Sequence, residues 1–167
     1  MIDREQQAPQ LPKLPTSAIE TEEGLQANTQ SWFEYPVKAQ PHHTDYAGIV
    51  WHGTYLTWME EARVEYLRSI GIEFADLVAM GCDLPVVELS LRYHLPIHLG
   101  VSAIVKARLV ETKGVRINWD YEIQSYDRQE IFLTGKVLLV GVDQKKGKIM
   151  RQLPSKVQEA LVKHTTA

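Results

Sequence analysis

Residues 42 to 67 read "HHTDYAGIVWHGTYLTWMEEARVEYL". Two histidines, an aspartate, a glycine turn and a third histidine run straight into a helical pattern. Leu56, Met59, Arg63, Leu67 and Ile70 recur at three- and four-residue steps, and so do Tyr55, Met59, Ala62 and Tyr66. The combined face is wider than a surface helix needs and suits a helix cradled by a sheet. The spacing predicts a helix from about Gly53 to Ser69, with Gly71 as its stop.

Beyond residue 83 the period changes to two. In "VRINWDYEIQSY" (115–126), Val115, Ile117, Trp119, Tyr121 and Ile123 alternate with polar residues. "LPVVELSLRYHL" (84–95), "VSAIVKARLV" (101–110) and "EIFLTGKVLLVGV" (130–142) also read as strands, separated by the turns "ETKG", "YDRQ" and "DQKKGK". Short connections join antiparallel neighbours. Upstream, "WFEYPVKAQ" (32–40) is a strand broken by Pro36, which suits an edge or a bulge. One strand, one long helix and a four-strand meander make an α+β pattern with the helix on one face. "PSKVQEALVKH" (154–164) closes as a short helix with Pro154 at its first turn.

The 167 residues, 44% apolar and 23% charged, suit one soluble domain with a real core. Residues 1–31 read as a polar N-terminal tail, in which "TSAIETEEGL" has the makings of a short helix, and 32–167 as a single domain. The net charge of −3, with no Lys/Arg-rich run, argues against nucleic acid. No apolar run reaches membrane-spanning length, and a single cysteine, Cys82, suits a reducing compartment, so a cytoplasmic location is expected.

A metal site would draw on His42, His43, Asp45 and His52. Adjacent residues of an extended segment point to opposite faces, however, and no established ligand spacing is completed. Cys82 has no histidine nearby in sequence and reads as a small buried hydrophobe. There is no Gly-x-Ser-x-Gly elbow and no phosphate-cradling glycine loop. His94 and His98 read as strand-end polar residues. Asp45 has two readings. It caps a turn, as Asp followed shortly by Gly often does. Alternatively it faces the first backbone N–H groups of the helix, which suit a developing oxyanion, and acts there as nucleophile or general base. On spacing alone the two stand even.

The stretch "HTDYAGIVWHGTYLTWMEEARVEYLRSIGI" resembles the signature of the hotdog-fold acyl-CoA thioesterases of the 4-hydroxybenzoyl-CoA thioesterase type. The matching residues are Asp45, then Gly48, Ile49, Val50 and Trp51, then Met59, Glu60, Ala62 and Arg63. "VVELSLRYHLPIHLG", with its Tyr-x-x-Pro ending, is similar to a later strand of that family, and the resemblance runs from about residue 33 to 150. It implies a hotdog fold, an antiparallel sheet wrapped around one long central helix, in a homodimer or homotetramer with active sites shared at the subunit interface. It also implies that Asp45 is the catalytic carboxylate and that the His52 backbone N–H polarises the thioester carbonyl. The substrate would be an acyl-CoA, with no cofactor and no metal. The pattern is also similar to the 1,4-dihydroxy-2-naphthoyl-CoA thioesterase branch of phylloquinone and menaquinone biosynthesis. "HHT" stands where acidic or aromatic residues are more usual, and the N-terminal tail is extra.

Two rivals are weaker. A hotdog dehydratase wants a His-Phe loop, but Gly53 follows His52; the 31-residue tail is too short and polar for a DNA-binding output module. A pure binding role stays open. Tyr46, Trp51, Tyr55 and Trp58 suggest a flat apolar wall for an aromatic acyl group, with Trp58 equally at home in the core. Gly48 and Gly53 complete the expected substrate-binding set. Lys106, Arg108, Lys113, Arg116 and Arg128 are candidates for the CoA phosphates.

Overall fold

Alternation in the chain's second half becomes one sheet. A computed structural model describes residues 31–165; the short helix expected in 16–25 lies outside the described residues. β1 (Phe33–Lys38) is followed by α1 (Thr54–Ser69), a short α2 (Phe74–Ala79) and a two-residue β2 (Cys82–Asp83). Next come β3 (Val86–Tyr93), β4 (Ser102–Lys113), β5 (Arg116–Ser125) and β6 (Ile131–Val140). A small hairpin, β7 (Val142–Asp143) and β8 (Lys148–Ile149), and α3 (Ser155–Thr165) complete it. The main sheet is antiparallel in the order β1-β4-β5-β6-β3, while β2-β7-β8 form a second, small sheet.

α1 begins and ends where its sequence predicts, with Gly53 before it and Gly71 in the left-handed region (φ 83°) after it. It buries Tyr55, Trp58, Met59, Ala62, Arg63, Tyr66 and Leu67. The sheet meets it with Val105, Ala107 and Leu109 of β4, Ile117 to Ile123 at alternate positions of β5, and Leu133, Val137 and Leu139 of β6. Each large side chain buried in this way contributes roughly 1.5–3 kcal/mol. Ala62 is wholly buried; a larger residue there would overpack the helix–sheet contact. This is the hotdog arrangement that the resemblance implies, an antiparallel sheet packed against one long helix.

Two strand expectations change. β4, β5 and β6 form a meander joined by short turns, but β3 pairs with β6 at the far edge and leaves the β4 edge to β1. The β3–β4 connection is an irregular bend held by Val50 N→Ile97 O, Leu99 N→Gly48 O and Gly100 N→Ala39 O. Such a bend carries the chain across the sheet end, which no tight turn would do. β1 also runs unbroken through Pro36, which pairs with Ile104. On an edge strand the missing N–H can lie on the solvent side, so proline costs no ladder bond there. β3 is the other edge, and along its length only Leu91 is partly covered. α3 follows Pro154 as expected, burying Val157 and Leu161 and packing against β4.

Candidate active site

The stretch that leads into α1 folds back on itself. Thr44 and Val50 form an isolated antiparallel bridge, Trp51 N donates to His43 O (2.9 Å), and Asp45 N donates to Ile49 O (2.8 Å). Gly48 closes the turn at φ 73°, a conformation that favours glycine. The base of the loop is tied down at His43. Its Nδ1 accepts from Gln40 N (3.1 Å), its carbonyl also accepts the Thr54 hydroxyl (3.1 Å), and its ring meets Trp58 edge-on at 5.2 Å.

Both readings of Asp45 have a physical basis in this loop. Oδ1 accepts from Ala47 N (2.8 Å) and Ile49 N (3.2 Å), so the side chain does cap its turn. The residue is exposed, and among the described residues Oδ2 has no hydrogen bond. Seven residues on, the His52 and Gly53 amides donate to nothing among the described residues, as expected ahead of a helix. The backbone bonds of Asp45 to Ile49 and of Trp51 to His43 hold Asp45 and the peptide leading into His52 in one small loop. A thioester carbonyl lying between a carboxylate and an N–H would meet each at about 3 Å. The loop thus carries an exposed carboxylate and an N–H with no partner among the described residues, the two kinds of group that acyl transfer draws on.

The aromatic residues do not assemble into one wall. Tyr46 points fully outward, whereas Tyr55 and Trp58 are core residues packed edge-on at 5.8 Å. Trp51 is half exposed and its ring lies across Gly53, where an added Cβ would meet it at 1.9 Å, so a larger residue at 53 would push the Trp51 ring aside. The Trp51 ring also leans on that of His52, with centroids 4.6 Å apart. Beside His52 lies a hollow of 280 Å³ lined by Ile49, Val50, Tyr55, Tyr93, Leu95 and Pro96 among others. Burial pushes the phenols of Tyr55 and Tyr93 up. Tyr93 was legible in the sequence only through its Tyr-x-x-Pro context. His94, read as a strand-end polar residue, bonds the Thr134 hydroxyl through Nε2 at 2.9 Å and also borders the hollow.

Three of the five candidate cations are already paired: Lys106 with Glu122 (3.1 Å), Arg108 with Asp120 (2.8 Å) and Arg128 with Glu34 (2.9 Å). Lys106 and Arg108 also sit over Trp32, at 4.9 and 4.5 Å from its ring centre. Lys113 and Arg116 are exposed at the β4–β5 turn and have no ion pair among the described residues. That turn is about 36 Å along β4 from Ser102, whose end of the strand adjoins the Asp45 loop. Within one chain these two do not face Asp45.

Residues 47–132, which include the glycine turn, α1 and most of the sheet, match the model of the thioesterase superfamily. The chain belongs to the thioesterase superfamily. A Synechocystis sp. relative, provisionally named an esterase, is 55% identical over 93% of this chain and 95% of its own. A chloroplastic acyl-acyl carrier protein thioesterase of Arabidopsis thaliana is 30% identical over 77% of this chain and 67% of its own. Among solved structures, a DHNA-CoA thioesterase from Staphylococcus aureus superposes with a TM-score of 0.74 at 28% identity, covering 79% of this chain and 89% of that one. Among the described residues no helix is long and apolar enough to cross a membrane.

Proposed function

We propose that this thioesterase hydrolyses an aromatic acyl-CoA to the free acid and CoA, with 1,4-dihydroxy-2-naphthoyl-CoA as its substrate. The observation that carries hydrolysis is that one short loop holds both an exposed Asp45 carboxylate and a His52 amide that has no partner among the described residues. Asp45 attacks the acyl carbon or activates water beside it, while the His52 N–H takes up charge developing on the carbonyl oxygen. Gly48 keeps the turn open to the thioester, and Gly53 lets the Trp51 ring lie over the helix start. The aromatic preference is supported by Tyr93 and Tyr55, which line the hollow, and by the half-exposed Trp51 next to His52. Likeness to the S. aureus DHNA-CoA thioesterase supports the naphthoyl branch.

An aliphatic acyl group is the second reading. Ile49, Val50, Leu95 and Pro96 supply much of the hollow's lining, and they would accept a saturated chain without stacking. Specificity constants for benzoyl-, dihydroxynaphthoyl- and palmitoyl-CoA separate the two. The proposal expects dihydroxynaphthoyl-CoA to lead, and a lead for palmitoyl-CoA would replace it with general acyl-CoA turnover.

The active assembly is a homodimer or homotetramer with sites shared between chains. β3 supports this, because it is an edge with unpaired backbone groups and exposes Val87, Leu89 and Tyr93.

A further inference from the structure

We propose that Tyr93 is a positioning residue for thioester hydrolysis, acting through the His52 backbone. This rests on the hydrolase reading above. Tyr93 ends the edge strand β3, and its hydroxyl donates to the His52 carbonyl at 2.8 Å. Its ring meets Tyr55, in the first turn of α1, edge-on at 5.3 Å. The Tyr55 hydroxyl in turn accepts from Ile97 N at 3.4 Å. Two phenols thus stitch the edge strand, the bend after it and the helix start around one residue.

The consequence falls on peptide planes. The carbonyl of Trp51 accepts from Thr54 N at 2.9 Å, which holds the Trp51–His52 peptide. In a trans peptide the N–H points away from the C=O, so this bond aims the His52 amide outward from the helix. Tyr93 holds the next plane through the His52 carbonyl. With both planes pinned, the backbone at His52 has little freedom and its N–H keeps one direction without reorganising as charge develops. The same bond polarises the His52–Gly53 peptide and strengthens Gly53 N–H as a donor. The Tyr93 hydroxyl is spent on the carbonyl, so it serves by orientation and does not act on the substrate itself.

Tyr93→Phe removes the hydroxyl and keeps the ring on Tyr55. Deleting an oxyanion donor outright costs about a hundred- to a thousandfold in kcat, and loosening one costs less. The expected result is a kcat lower on the order of tenfold, KM within about twofold, and unchanged melting and assembly. In an Asp45→Asn background, which binds without turnover, the infrared carbonyl band of bound ¹³C-labelled benzoyl-CoA should move back toward its free position when Tyr93→Phe is added. An unchanged kcat and band in folded protein would overturn the proposal. So would a rise in KM alone, which would mean that the hydroxyl only shapes the hollow. If the Phe variant does not fold, 3-fluorotyrosine at position 93 replaces it. This more acidic phenol should bring the alkaline fall of kcat to lower pH, because a phenolate cannot donate, and an unmoved profile would refute the positioning role. Wild-type protein inert toward every acyl-CoA tested would instead strike the hydrolase reading, before any variant is made.

Discussion

At the scale of single residues, Asp45 and His52 carry the proposed division of work between a side chain and a backbone amide. Asp45→Asn keeps the shape and the acceptor toward Ala47 N but removes the charge and most of the basicity. Positioned acid–base groups supply about a hundred- to ten-thousandfold, so kcat should drop by at least that order while CoA still binds, as titration calorimetry would report. His52→Ala preserves the amide and removes only a ring that leans on Trp51. Its kcat loss should be milder, about tenfold. An active Asp45→Asn beside a dead His52→Ala would make the imidazole the catalytic group. Cys82 lies at the other extreme of reactivity. It is buried and unpaired, and burial with the neighbouring Asp83 charge pushes its thiol up. Native protein should therefore react with a thiol reagent at neutral pH far more slowly than denatured protein does, and equal rates would contradict the buried placement.

At the scale of elements, α1 and β5 share a polar contact inside the core. Arg63 is 9% exposed and donates to the Tyr121 hydroxyl at 3.0 Å. Burial is the main cause that pushes the Tyr121 phenol up to about 12, against a partial lowering by the Arg63 guanidinium. The unfolded phenol titrates near about 10, so the folded chain holds its proton more tightly over that interval. The stability this represents is full below about pH 10 and is lost as pH rises toward about 12, a span worth about 3 kcal/mol. Denaturant melts between pH 9 and roughly 12 should show that slope, and Tyr121→Phe should flatten it. Below pH 9 the same variant should be less stable by about 1–3 kcal/mol, because the buried guanidinium loses its acceptor. A slope unchanged by Tyr121→Phe would assign the alkaline loss to another group.

At the scale of the whole molecule, the unequal edges of the sheet dominate. β1 is one edge and carries Pro36, which limits pairing there. β3 is the other, with Val86, Val87 and Leu89 each more than 40% exposed. Light scattering should give a dimer or tetramer at working concentration. Leu89→Lys places a charge at the middle of that edge and should shift the population toward monomer, with loss of hydrolysis in parallel. A wild-type monomer that is fully active would end the shared-site proposal.

Local signals were enough for much of this molecule. The helix from residue 54 to 69, its glycine stop, the buried alternation of Ile117, Trp119, Tyr121 and Ile123, and the helix after Pro154 were all written in the sequence. Each depends on periodicity or capping over a few neighbouring residues. The Asp45 turn was legible for the same reason, since Asp and Gly three residues apart build it from their own backbone bonds. Long-range packing decided the rest. No local pattern specifies that β3 lies beyond β6, because that pairing joins residues roughly 40 to 50 apart in the chain. The tie from Tyr93 to His52 joins residues 41 apart in the chain and exists only after that edge is chosen. The aromatic residues after Asp45 share one composition, yet Tyr55 and Trp58 turn inward and Tyr46 outward, because the turn and the helix set each side chain's direction only once the sheet gives the helix a buried side.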